Sequence, residues 1–159
     1  MAACANPVSA VRVDPKTVYD DLSRSAVASG EPSWPTRNTL REYGLLEAFK
    51  ERPESALADL HKAMVATGGD VDALFALAEL SFLHAQASAK RSYHLAAAVY
   101  AWAFLFPEGL DDSPGRFDPR LRLAADLYNW ALADGFASAD RSEVVPAGGR
   151  SSCPSDGSM

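Results

Sequence analysis

LAAAVYAWAF at residues 95–104 and LAADLYNWAL at residues 123–132 are nearly one phrase written twice, 28 residues apart. Leu, Ala, Ala, Tyr, Trp and Ala recur in register, with Val99 matched by Leu127 and Phe104 by Leu132. Small residues at this spacing let two helices approach closely, and large aromatic residues fill the gaps between them. The pattern therefore predicts helices stacked on helices. It also predicts that Trp102 and Trp130, which hold equivalent places, are largely buried. It is a packing pattern and carries no chemistry.

Upstream of the first phrase, Asp70 stands where it can cap a helix over residues 71–88. Leu74, Phe75, Leu77, Ala78, Phe82 and Ala85 cover more than half of that helix, so neighbours must bury it on more than one side. Before it, Pro53 opens a helix with Ala56, Leu57, Leu60 and Met64 on one face, broken by Gly68 and Gly69. Thr36 reads as the cap of a helix through Leu40, Tyr43, Leu46 and Phe49, weakened at Gly44. Asp14 and Pro15 open a first helix with Val18, Leu22, Ala26 and Ser29 in helical spacing, ended by Gly30. The first phrase belongs to a fifth helix over residues 91–106. The second belongs to a sixth, opened by Asp118 and Pro119 and stopped at Gly135.

The expected fold is all-α, about six helices in antiparallel neighbours and helical-repeat-like. Residues 1–13 form an N-terminal segment, 14–139 the helical domain, and 140–159 a tail rich in Ser, Gly and Pro. That tail has no aromatic residue and too little apolar surface to offset its ordering entropy, so it is expected to be disordered.

A chain of 159 residues can build one domain with a real core. Its net charge of −6 argues against a nucleic-acid partner, which would require a basic face. Lys90 and Arg91 are the only local basic group, and they read as charges at the C-terminal end of a helix. Cys4 and Cys153 sit near opposite ends, with no CxxC and no Cys/His cluster of metal spacing. No apolar run reaches the roughly 18 residues that a membrane span needs.

Cys4 follows Ala2 and Ala3, which is the look of the end of a bacterial lipoprotein signal. The charged and apolar parts that precede such a cysteine are missing, so the alternative is an ordinary exposed terminus. Cys4 is the candidate lipidation site and the only route to membrane attachment. If it is a lipobox cysteine the protein belongs to the bacterial cell envelope; otherwise it is expected in the cytoplasm.

No reaction is declared. There is no GxSxG, no GxGxxG or GxxxxGK[ST], and no HExxH. No catalytic, cofactor-binding or metal-ligating residue is assigned, and no cofactor is implied. His84 and His94 lie on consecutive helices, but no carboxylate of ligand spacing joins them. They read as surface or helix-end histidines. Glu79, between Ala78 and Leu80, reads as a rim charge paired with a Lys or Arg rather than a site. Asp126, in the place of Ala98, marks a position in water. The Tyr100/Trp102 and Tyr128/Trp130 pairs read as packing rather than a ligand groove.

DALFALAELSFLHAQ (72–86), SYHLAAAVYAWAFLFPE (92–108) and FDPRLRLAADLYNWAL (117–132), in that order, resemble a specific family. It is the helical N-terminal region of bacterial envelope α/β-hydrolases of the esterase/lipase class. The resemblance covers roughly residues 11–139 and gives Cys4 the meaning of a lipidated first residue. It implies a carboxylic-ester hydrolase domain after residue 139, where the composition instead collapses. The chain is thus expected to be a non-catalytic accessory region, truncated or frame-shifted, whose partner is normally the hydrolase domain in cis. No catalytic residue of the family has a counterpart here. The alternative is a small tetratricopeptide-like scaffold that binds a protein partner, although 28 residues is short of that repeat's ~34. On the accessory reading, an apolar patch near Leu127, Trp130 and Phe136 is expected to stand uncovered.

Overall fold

The computed structural model describes residues 29–107 and 114–137. The expected helix at 14–29, Cys4, Cys153 and the tail expectation lie outside them, apart from Ser29. Within them the chain is all-α. Six helices follow in order: α1 (Trp34–Glu42), α2 (Leu46–Glu51), α3 (Pro53–Ala66), α4 (Val71–Ser88), α5 (Arg91–Leu105) and α6 (Arg120–Phe136).

The helix expected through Tyr43 and Phe49 is two helices, α1 and α2. Its cap position is Ser33 rather than Thr36, with Pro35 in the first turn. The break falls at Gly44, whose φ of +67° is left-handed. The Leu45 N–H then donates to the Leu40 carbonyl at 2.7 Å, and the Gly44 N–H to that of Arg41 at 3.0 Å. This double bond pattern closes the end of α1 and turns the chain into α2. Gly68 and Gly69 end α3 with the same pair of bonds, onto Val65 and Met64.

α4 is the centre. Asp70 caps it as its sequence suggests, its side chain accepting from the Asp72 N–H at 2.9 Å. Of its 18 residues only Asp72 and the last three escape burial. α1, α3, α5 and α6 all pack on it. Phe75, Leu77, Leu80 and Phe82 are sealed from solvent, each contributing about 1.5–3 kcal/mol by leaving water. Phe75 meets Phe104 at 5.3 Å and Phe82 meets His94 at 5.5 Å, so α5 retraces α4 in the opposite direction.

α6 does not stop at Gly135. That glycine is helical and buried, and a Cβ on it would come within 2.7 Å of Leu95 Cδ2. It marks a close approach to α5. The Gly135 carbonyl accepts from Arg91 Nη2 at 3.2 Å, which sets a cation at the C-terminal end of α6.

The two phrases do pack against one another, but not alike. α5 buries His94, Ala97, Ala98, Ala101 and Phe104. α6 buries Ala124, Leu127, Ala131 and Gly135. Aligned by phrase, these sets point roughly 150° apart around the helix axis. Val99 is exposed where its counterpart Leu127 is fully buried. The indoles differ from expectation for a related reason. Ala78, Ala97, Ala98, Ala101 and Ala131, with Phe82 and Leu127, make the seam between α4, α5 and α6. Phe82 and Leu127 already fill the space that these alanines leave, and Trp102 and Trp130 lie at the seam's edges, 50% and 54% exposed.

Candidate functional site

α5 carries no Asp, Glu, Lys or Arg after its first residue. α4 and α6 cover two of its sides. On the remaining side stand Val99 and Trp102, continued by Phe106 just past the helix end, each at least half exposed. Spacings of three and four residues align them in one row. The Trp102 and Phe106 rings are 4.2 Å apart, and Trp102 reaches Tyr128 of α6 at 5.7 Å. The result is an uncharged aromatic face shared by two helices.

The apolar patch expected near Leu127, Trp130 and Phe136 is not formed as such. Leu127 is fully buried and Phe136 partly so. Trp130 lies about 200° around α6 from Tyr128, on the opposite flank from the aromatic contact. The exposed row belongs to α5 instead. Its signal was present in the sequence. A charge-free helix needs more than two covered sides, and among the described residues only α4 and α6 pack along it, with α3 touching it at Tyr100.

The histidines are not brought together. His84, 8% exposed, has Nε2 3.2 Å from Glu54 Oε1 and meets the Tyr93 ring edge-on at 4.5 Å. His94 is buried against Phe82. His61 Nδ1 lies 3.0 Å from the Tyr100 hydroxyl, tying α3 to α5. Burial of Tyr100 raises its phenol above the ordinary range.

Lys90 is not only a helix-end charge, since its ammonium also donates to Glu54. That bond, then the one to His84, holds the Glu54 carboxyl below the usual range, and the Glu54 bond holds Lys90 above its own. Both ions face water, so the pair adds little stability. Among the described residues no group of three or more His, Cys, Asp or Glu could hold a metal ion. None of their helices is long and apolar enough to cross a membrane.

Glu79 is not a rim charge. It is fully buried, and its carboxylate accepts from the Ser33 N–H at 3.1 Å and the Ser33 hydroxyl at 2.7 Å. It fastens the start of α1 across α4. Asp126 is exposed.

No protein-family model, no curated protein and no solved structure matches the chain.

Proposed function

We propose that the chain is a non-catalytic helical accessory region whose α5 row packs against the protein domain it accompanies. The row of Val99, Trp102 and Phe106 carries this reading. Interface cores are depleted of charge and enriched in Trp, Phe and Tyr, and buried indoles are common anchors of binding. Free surfaces seldom leave such a row in water without a use.

On the likeness of residues 72–86, 92–108 and 117–132 to envelope esterase-type α/β-hydrolases, we take that domain to be a carboxylic-ester hydrolase, in cis or from an interrupted gene. That domain supplies the nucleophile and the helical body supplies a docking face. A lipid on Cys4 would hold both at the envelope. The repeat-scaffold alternative has less support, because the two phrases bury different faces.

The test begins with the coding sequence that follows, read in all three phases for a GxSxG domain. Expressed separately, that domain should co-elute with this chain, and the complex should be lost on Trp102→Asp. Phe117→Asp, at a fully exposed position off the row, should leave it intact. Alone, the chain should not hydrolyse p-nitrophenyl esters above background. Absence of any such domain, or a complex indifferent to Trp102→Asp, overturns the reading.

A further inference from the structure

A groove of about 580 Å³ runs between α1, α2 and the C-terminal part of α4, with none of the α5 row in its lining. Its wall includes Leu40, Leu46, Phe49 and Leu83, together with Arg37 and Arg41. A volume of this size is that of a small-molecule site. The mix of an apolar wall and cations is what needs explaining.

Arg37 and Arg41 are one turn apart on α1, so their like charges are neighbours and repel. Arg37 is partly buried. Its Nε is sealed from solvent and has no hydrogen-bond partner. A buried donor left unsatisfied costs stability, the more so on a charged group. Arg41 donates only to the neutral Asn38 side chain, at 2.9 Å. No carboxylate among the described residues pairs with either guanidinium. Yet the chain holds 21 acidic residues against 15 basic ones, so acids to neutralise them were plentiful. Lys50, also at the groove, is already paired with Glu47 at 2.9 Å. Glu31 borders the groove too, but it is exposed, where water and salt screen it.

We propose that this groove binds a medium-chain carboxylate. The acyl body lies on Leu40, Leu46, Phe49 and Leu83. The carboxylate sits between the two arginines and accepts from their terminal guanidinium nitrogens, Nη1 and Nη2. A guanidinium presents a planar fork that matches a carboxylate, and the charge-assisted bonds relieve the repulsion between the two cations. A bare inorganic anion would leave the apolar wall unused. A neutral alcohol of the same length would leave the arginines unpaired.

Isothermal titration of the full chain with decanoate, below its micelle concentration at neutral pH, tests this. One saturable site per chain is expected. Arg41 is exposed, so Arg41→Gln keeps the fold and should weaken binding at least tenfold. Arg37→Gln should abolish it, with circular dichroism reporting whether that variant is folded. Decanol should bind at least tenfold more weakly than decanoate, and inorganic phosphate should give no heat. Binding that does not saturate, decanol as tight as decanoate, or unchanged affinity in Arg41→Gln overturns the proposal whatever Arg37→Gln does.

Discussion

Glu79 is charged by type and sits where no water reaches it. Ser33 offsets part of the cost of that burial, giving the carboxylate a backbone and a hydroxyl donor at the start of α1. Bonds to a charged acceptor are worth about 1.5–3 kcal/mol, more than neutral ones. Glu79→Leu should therefore cost about that much in urea unfolding, since it strands the Ser33 donors. Ser33→Ala should cost less. In a double-mutant cycle the pair should couple by about 1 kcal/mol or more, because the two residues share one interaction. Additive effects would show that the contact does not hold α1 down. Tyr43 is a second such residue. Its hydroxyl donates to Asp70 Oδ2 at 2.8 Å, on the same side chain that caps α4. Desolvation first, then the Asp70 hydrogen bond, push its phenol up to about 12. The folded state thus favours the protonated form. Its contribution is complete below the ordinary tyrosine pKa of about 10 and is lost as pH rises from there to about 12. Phenolate absorbance should show one tyrosine titrating at about 12, and Tyr43→Phe should flatten the alkaline fall in stability.

At the scale of elements, Arg120 joins three of them. It grips Asp118 just before α6, at 2.8 Å through Nη2, and also donates to Asp72 in the first turn of α4. Its guanidinium lies 5.6 Å from the Phe75 ring centroid and 5.3 Å from that of Phe104. Burial would lower its pKa, but the bonds to Asp118 and Asp72 win and raise it. The Arg120 side-chain bond likewise holds Asp118 below the carboxylate range. Exposed ion pairs are worth about 0–1 kcal/mol and breaking buried ones costs about 3–5, so Arg120→Ala should cost about 2–3 kcal/mol. The Asp118 contribution is present above the ordinary Asp pKa of about 3.9 and disappears as pH falls through the lower folded value. Asp118→Asn should therefore destabilise at neutral pH and approach wild type in strong acid. A gap independent of pH would sink this account.

The elements also show what could be read from the chain. α4 was legible because it is apolar nearly all round and Asp70 announces its start. The split of α1 from α2 was half legible. Gly44 was visible as a weakness, but its left-handed turn depends on bonds that only the fold brings together. The Trp102 burial expectation failed because repeated letters fix helical periodicity and not which side a neighbour will cover. Glu79 was misread because its partner is 46 residues away, beyond any local pattern. The α5 row was recoverable from the missing charges. The arginine groove was not, since α1, α2 and α4 meet only in three dimensions.

The whole molecule is layered around one helix, and that has a kinetic consequence. α4 is wrapped by α1, α3, α5 and α6, whereas α2 is six residues long with none of them buried. Amide protons escape to solvent either by local opening or by unfolding of everything at once. Opening α4 means peeling off all its neighbours, so no partial route leads to it. Its inner amides, such as those of Leu77 and Leu80, should exchange with deuterium only at the rate set by global unfolding. Those of α2 should exchange orders of magnitude faster, through local opening that leaves the rest intact. In rising sub-denaturing urea, the α4 amides should show the full denaturant slope and the α2 amides almost none. Equal slopes for both would mean the bundle opens as one unit. A graded set would make α4 the last part of this protein to let go of its protons.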